Sequence, residues 1–226
     1  MGLLDVILGR SRAARPDLDR LFGVPGAAIT LQAGAGFAPA GSGSVCFAGV
    51  EGGAFARLRT EVRELLAADG PDGSGTPAGS DGSGPGWPGG APAGGGVVAE
   101  FEQDAYGYTW LPLRRPPDDL VSLVNDVHAV NTLLEEAGFG PQLLCSLFAF
   151  REESGERVLS LVYLYKRGTF YPFAPVPGAE ERRDNALELS VRALLAEELR
   201  MESDLSRWFP VWGAPGLPPP AQRAIP

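Results

Sequence analysis

Three side chains in this 226-residue sequence could be reactive by type: His128, the single histidine, and Cys46 and Cys145, the two cysteines. A cysteine acts as a nucleophile in its thiolate form, and a neighbouring imidazole is a common means of generating it. The cysteines are far apart in sequence and form no CxxC pair, and His128 has no HxxxH partner, so the spacing supports no metal site. A dyad of His128 with Cys46 or Cys145 requires the fold to bring them together. Asn125, Asp126 and Asn131 add only a polar flank to the helix that carries His128. The competing reading makes the cysteines small buried hydrophobes in apolar strands, VCF (45–47) and LCS (144–146), and makes His128 a structural residue at a helix edge. On these residues alone no catalytic group, cofactor or metal is assigned.

Lys166 is the only lysine in a chain whose basic residues are otherwise arginines, so Schiff-base or P-loop chemistry has one candidate. The glycines at 34–36 lack the strand, loop and helix that a nucleotide needs, and no Gly-x-Ser-x-Gly elbow occurs. Lys166 stands instead with Arg167 at a turn between aromatic runs. Tyr165, Lys166, Arg167, Thr169, Phe170 and Tyr171 form a candidate interaction surface, since rings beside cations suit an acidic peptide, a lipid head group or a base. The bland alternative is a hairpin whose rings fill the core while the cations keep its tip soluble. With 19 basic against 28 acidic residues the net charge is −9, which repels phosphate backbones and argues against nucleic acid as a general partner.

A second patch lies at the start of the sequence. Leu3, Leu4, Ile7 and Leu8 would share one side of a helix, with Arg10 and Arg12 just beyond, a candidate membrane contact on anionic lipid. The alternative is a short helix packed on the domain. The run is too short for a secretory h-region or a membrane span, and Val6 stands where a myristoylation signal needs Ser or Thr. The expected setting is the reducing cytoplasm, with any peripheral contact at the inner face of the plasma membrane.

The elements that must position these groups are legible from periodicity and punctuation. The chain has 31 glycines and 21 prolines, and much of the excess falls in residues 69–96, which lack apolar periodicity and cannot offset their own ordering entropy. That segment is expected to be a disordered insertion within one domain. Residues 1–68 supply short helices, two strands and a helix; 97–213 form the main α+β portion; 214–226 form a frayed tail. Expected helices cover 16–22, 55–67, 118–137 (stopped by Gly138) and 184–199. Expected strands cover 28–32, 44–48, 97–103, 106–113, 143–151, 157–166 and 169–175. This order is not a strict β-α alternation, so an α+β fold with an antiparallel sheet covered by helices is the better fit.

Several strings together resemble a known family. MGLLD (1–5), PDLD (16–19), VEGGAF (50–55), DAYGYTWL (104–111), VHAVN (127–131), AGFGPQLLC (137–145), VYLYKRGTFYPFAP (162–175), RDNALEL (183–189) and WFPVWGAPGL (208–217) are similar to the PspA-associated protein PspAB, an actinobacterial and archaeal accessory of phage-shock-type envelope stress. The match spans nearly the whole chain outside the insertion. It implies a place in that stress system and not a reaction, with a PspA-type protein and/or an HtpX-type membrane protease as partner; the leading expectation is a non-enzymatic adaptor or regulator acting through protein–protein interaction. A cysteine-dependent enzyme and a peripheral membrane sensor anchored by residues 1–15 are the alternatives. By analogy of element order, the fold is similar to the type III secretion chaperone-like or YbjN-like α+β domains, which present a sheet and helix surface to protein partners.

Overall fold

The computed structural model describes residues 16–48, 53–68, 100–153, 155–179 and 181–217. Strands β1 (Phe37–Ala48), β2 (Glu102–Gln103), β3 (Tyr108–Arg114), β4 (Leu143–Glu152), β5 (Val158–Leu164) and β6 (Thr169–Phe173) build one six-stranded sheet in the order β2-β3-β1-β4-β5-β6. Every pairing between them is antiparallel. Helices α1 (Val24–Ala35), α2 (Gly53–Ala68), α3 (Leu120–Leu134) and α4 (Asn185–Leu194) complete an α+β fold. The candidate insertion and the segment 1–15 lie outside the described residues.

The helices follow from their stripes and stops. Leu120, Leu123, Val124, Val127, Val130 and Leu134 are buried along one side of α3, at the helical spacing expected of a core face. The Asp119 carboxylate accepts the backbone N–H of Ser122 at 3.2 Å to start the helix, and Asp184 does the same for Leu187 at 3.0 Å to start α4. Past α3 a π turn carries the chain to Gly138, whose φ of 86° is a left-handed conformation that suits glycine and turns the backbone away.

The strand expected at 28–32 is instead the middle of α1. Val24, Ala27, Ala28 and Leu31 are all buried, which is a helical stripe, whereas the β-branched Ile29 that suggested a strand is 72% exposed. Pro25 in the first turn and Gly36 with φ 70° at the end punctuate the helix. Elsewhere the difference is one of length. The helix expected at 16–22 is a 3-10 turn, Leu18–Gly23. The last helix closes at Leu194 rather than 199, and of the segment 97–103 only Glu102–Gln103 pairs as a strand among the described residues.

Alternation along the strands sends side chains to two different covers. On one face Val45, Phe47, Phe148, Phe150, Leu159, Leu161, Tyr163 and Phe170 join the buried residues of the four helices in one cluster. On the other, Cys46, Trp110, Cys145, Leu147, Val162, Tyr171 and Phe173 pack against Trp208, Val211 and Ala214. That second cover is the segment 201–217, a strap with a single 3-10 turn at Leu205–Arg207. Gly216, at φ 91°, crosses so close to the sheet that a Cβ there would collide with the Ser42 hydroxyl.

Candidate functional site

The two faces decide what the reactive side chains can do. His128 belongs to α3 on the helical face, where its ring stacks on Phe22 at 4.7 Å between centroids and its Nε2 lies 3.6 Å from Asp19 Oδ1. Cys46 and Cys145 belong to the strap face. The sheet stands between the imidazole and both thiols, so neither Cys–His dyad is assembled. The cysteines instead meet each other, as direct partners in the β1–β4 ladder. The polar flank of α3 is also committed internally. Arg115 clamps the buried Asp126 through Nε at 2.6 Å and Nη2 at 2.8 Å, and Asn131 donates to Val127 O at 2.7 Å and Ser146 Oγ at 2.9 Å.

The candidate hairpin is strands β5 and β6 with their turn. Tyr165, Thr169, Phe170 and Tyr171 are buried, and Lys166 and Arg167 are exposed. The rings therefore fill the two cores. Tyr163 and Phe170 meet at 5.0 Å on the helical face, and Tyr171 stacks on Trp208 at 5.9 Å on the other. Burial raises the Tyr163 phenol to about 12, and it raises the Tyr165 and Tyr171 phenols as well. All three remain protonated at neutral pH. Arg167 is held by Glu202 through Nε at 2.5 Å. Glu202 also accepts from Thr169 Oγ1 at 2.9 Å and from the backbone N–H of Asp204 at 3.0 Å. Burial opposes ionisation of Glu202, but the Arg167 pair and these donors together hold its carboxyl below the ordinary value.

The same contacts lay the start of the strap along the free edge of β6. Phe170 N donates to Arg200 O at 2.9 Å, and Glu202 N donates to Phe170 O at 2.7 Å. Beside this seam, Leu189, Arg192, Ala193, Ala196, Leu199, Arg200 and Met201 line an open groove of about 580 Å³. Its walls are largely aliphatic, with Arg192 and Arg200 among the lining residues; the Arg192 guanidinium lies over the Trp208 ring at 6.0 Å. Leu189 is 47% exposed although it lies in an amphipathic helix. Sequence reading passed over these residues; Leu189, which falls off the stripe of Leu187, Val191, Leu194 and Leu195, was the one available signal.

A buried charge cluster fastens the strap to α4. Arg183 grips Glu188 through Nε and Nη2, both at 2.9 Å, and donates from Nη1 to Trp208 O at 2.6 Å. Glu188 also accepts the backbone N–H of Ala174 at 2.8 Å. Desolvation raises the Glu188 carboxyl in spite of these donors. Tyr171 Oη donates to Phe209 O at 2.8 Å, and Trp208 Nε1 donates to Glu202 O at 3.2 Å. At the far edge, the Asp104 carboxylate accepts the backbone N–H groups of Tyr106 and Tyr108 and the indole N–H of Trp110. The specific strings thus have structural work: DAYGYTWL makes the β2–β3 turn, RDNALEL makes the cap and buried ion pair, and WFPVWGAPGL makes the strap.

Among the described residues no group of three or more His, Cys, Asp or Glu side chains is arranged to hold a metal ion, and no helix is long and apolar enough to cross a membrane. The candidate membrane residues Leu3, Leu4, Ile7, Leu8, Arg10 and Arg12 lie outside the described residues. The described chain starts beside the hairpin, where Tyr163 Oη donates to Asp17 O at 2.8 Å. No curated protein and no solved structure matches the chain. One family model, PspA associated protein B, matches residues 1–216, and the chain belongs to this PspAB family.

Proposed function

We propose that the chain is a non-enzymatic adaptor or regulator of the PspA-linked envelope stress response, working on the cytoplasmic side of the membrane by protein–protein interaction. The observation that carries this reading is membership of a PspA-associated family over residues 1–216. The site geometry supports it. The imidazole and the two thiols are on opposite faces of the sheet, whereas the groove along α4 is open and faces solvent.

Arg200 and Met201 line the groove, and residues 200–202 are bonded to Phe170 of β6. An aliphatic floor beside Arg192 and Arg200 fits a helix of the partner that presents apolar residues flanked by Asp or Glu. A PspA-type protein is the primary partner in this reading, and an HtpX-type protease is the secondary one. The test is affinity purification of the tagged full-length chain from cells under envelope stress, with an Ala193→Glu/Arg200→Glu variant alongside. Enrichment of a PspA-type protein that the variant loses by about tenfold or more is expected. Enrichment of neither a PspA-type nor an HtpX-type protein would overturn the reading.

A further inference from the structure

Cys46 and Cys145 are the nucleophilic groups that the adaptor reading leaves unused. Both are reduced and buried. They stand directly opposite each other on neighbouring antiparallel strands, at the centre of the sheet. Direct cross-strand partners have Cα atoms about 4.5 to 5.5 Å apart, within the span that a disulfide bridges. Here the side chains also point to the same face, where both pack with Trp110 and Tyr171 under the strap. The ladder shifts register right beside the pair, where Phe47 faces Leu143 and Leu144 is left out. Such a bulge interrupts the ladder and bends the strand locally.

We propose that Cys46 and Cys145 are a redox-modification site, a dithiol preset by strand register that converts to an intramolecular cross-strand disulfide on reaction with a small disulfide oxidant. One cysteine, as thiolate, attacks a sulfur of the oxidant; the new S–S bond forms as the oxidant's own breaks, and one thiol leaves. The other cysteine, having lost its proton, attacks the first at Sγ and expels the second thiol. The two cysteines give up two electrons and two protons, and the oxidant is reduced to two thiols.

The strap controls access. In the closed state the neighbouring Cys145 thiol, followed by burial, raises the Cys46 thiol out of the reactive range. Reaction therefore waits for the strap to lift. The described strap is fastened to the sheet by side chains and by the short seam at residues 200–202, rather than by a ladder of its own. Partial opening of such a segment needs no disruption of the central strands.

The experiment uses the folded full-length chain. It is incubated with oxidised glutathione, quenched with acid, alkylated under denaturing conditions and weighed by mass spectrometry. The expected product is lighter by two hydrogens, carries no alkyl group and returns to the dithiol form with a reductant. A Trp212→Ala variant, which loosens the strap, should form it roughly tenfold faster. Cys46→Ser and Cys145→Ser should each stop at a glutathione adduct. A wild-type chain in which both cysteines remain alkylatable, or in which adducts persist on both without resolving, would overturn the proposal. So would a disulfide that forms only after the chain has been unfolded.

Discussion

The two faces of the sheet are closed in different ways. Four helices cover one face with whole apolar stripes, and Leu31, Val62, Val127 and Phe148 are inaccessible there. The other face is covered by one irregular segment whose anchors are Trp208, Val211, Ala214 and the half-buried Trp212. That cover is imperfectly matched to what it covers. Ser44 and Ser160 lie on the strap face by alternation with Val45 and Leu161, and Ser42 lies under Gly216; none of their three hydroxyls has a partner within the protein. Each such group costs about 1–3 kcal/mol relative to a satisfied one. The helical face carries Asn131 Oδ1 as a comparable orphan between α3 and the sheet. The helical face carries the larger buried apolar cluster, and the strap is the cover expected to open first.

Substitutions should break or sharpen this contrast, and the largest effect belongs to the helical face. Phe148→Ala removes a fully buried ring and should cost about 3–5 kcal/mol in urea unfolding, with every probe moving together. Next is Glu188→Ala, which takes from the Arg183 guanidinium and the Ala174 N–H the carboxylate oxygens that accept from them. It should cost about 3 kcal/mol and weaken the strap and α4 together, as seen in amide exchange near Trp208.

Smaller effects should appear as local opening. Trp212→Ala loses a half-buried ring that meets Phe173 at 4.8 Å. A global cost of about 1–2 kcal/mol is expected, with a larger loss of exchange protection in residues 205–217 than in α3. Equal losses in both regions would erase the contrast.

Acid should act at one end of the strap. Glu202 has a lowered carboxyl value, so its contribution is complete above the ordinary 4.5 and is lost as pH falls through its lower folded value. Glu188 is raised, so its contribution is complete below 4.5 and fades as pH rises through its folded value. Acidification below 4.5 should therefore loosen the Glu202 seam while sparing the Glu188 anchor. Tryptophan fluorescence against far-UV circular dichroism would record the two separately. The smallest expected change is from deleting residues 69–96, the expected insertion, because loop closure varies only logarithmically with length; the cost should stay below about 1 kcal/mol.

Much of this architecture was legible from periodicity. The stripe from Leu120 to Leu134 and the alternation in β4 to β6 give the α+β class directly, and Gly138 marks the helix stop. The strand expected at 28–32 failed because Ile29 and Thr30 carry β propensity, yet the buried stripe around them has helical spacing; tertiary burial overrode a local preference. The hairpin was legible as an element but not as a surface. Nothing in VYLYKRGTFYPFAP shows that Glu202, more than thirty positions away in the chain, takes the Arg167 charge inward. The meeting of Cys46 with Cys145 was equally hidden, because it depends on the β1–β4 register. Neither do periodicity and spacing show that the end of α4, rather than the hairpin tip alone, leaves an open groove.

The proposed partner surface is the groove beside β6, with a PspA-type protein as its proposed occupant. Titration of the purified full-length chain with the PspA-type protein of the same cell tests it most directly, comparing wild type, Ala193→Glu/Arg200→Glu and an Arg57→Glu control on α2. Saturable binding is expected, weakened in the groove variant by at least about tenfold, about 1.4 kcal/mol, and unchanged in the control. Absence of binding, or equal affinity for wild type and the groove variant, would contradict it.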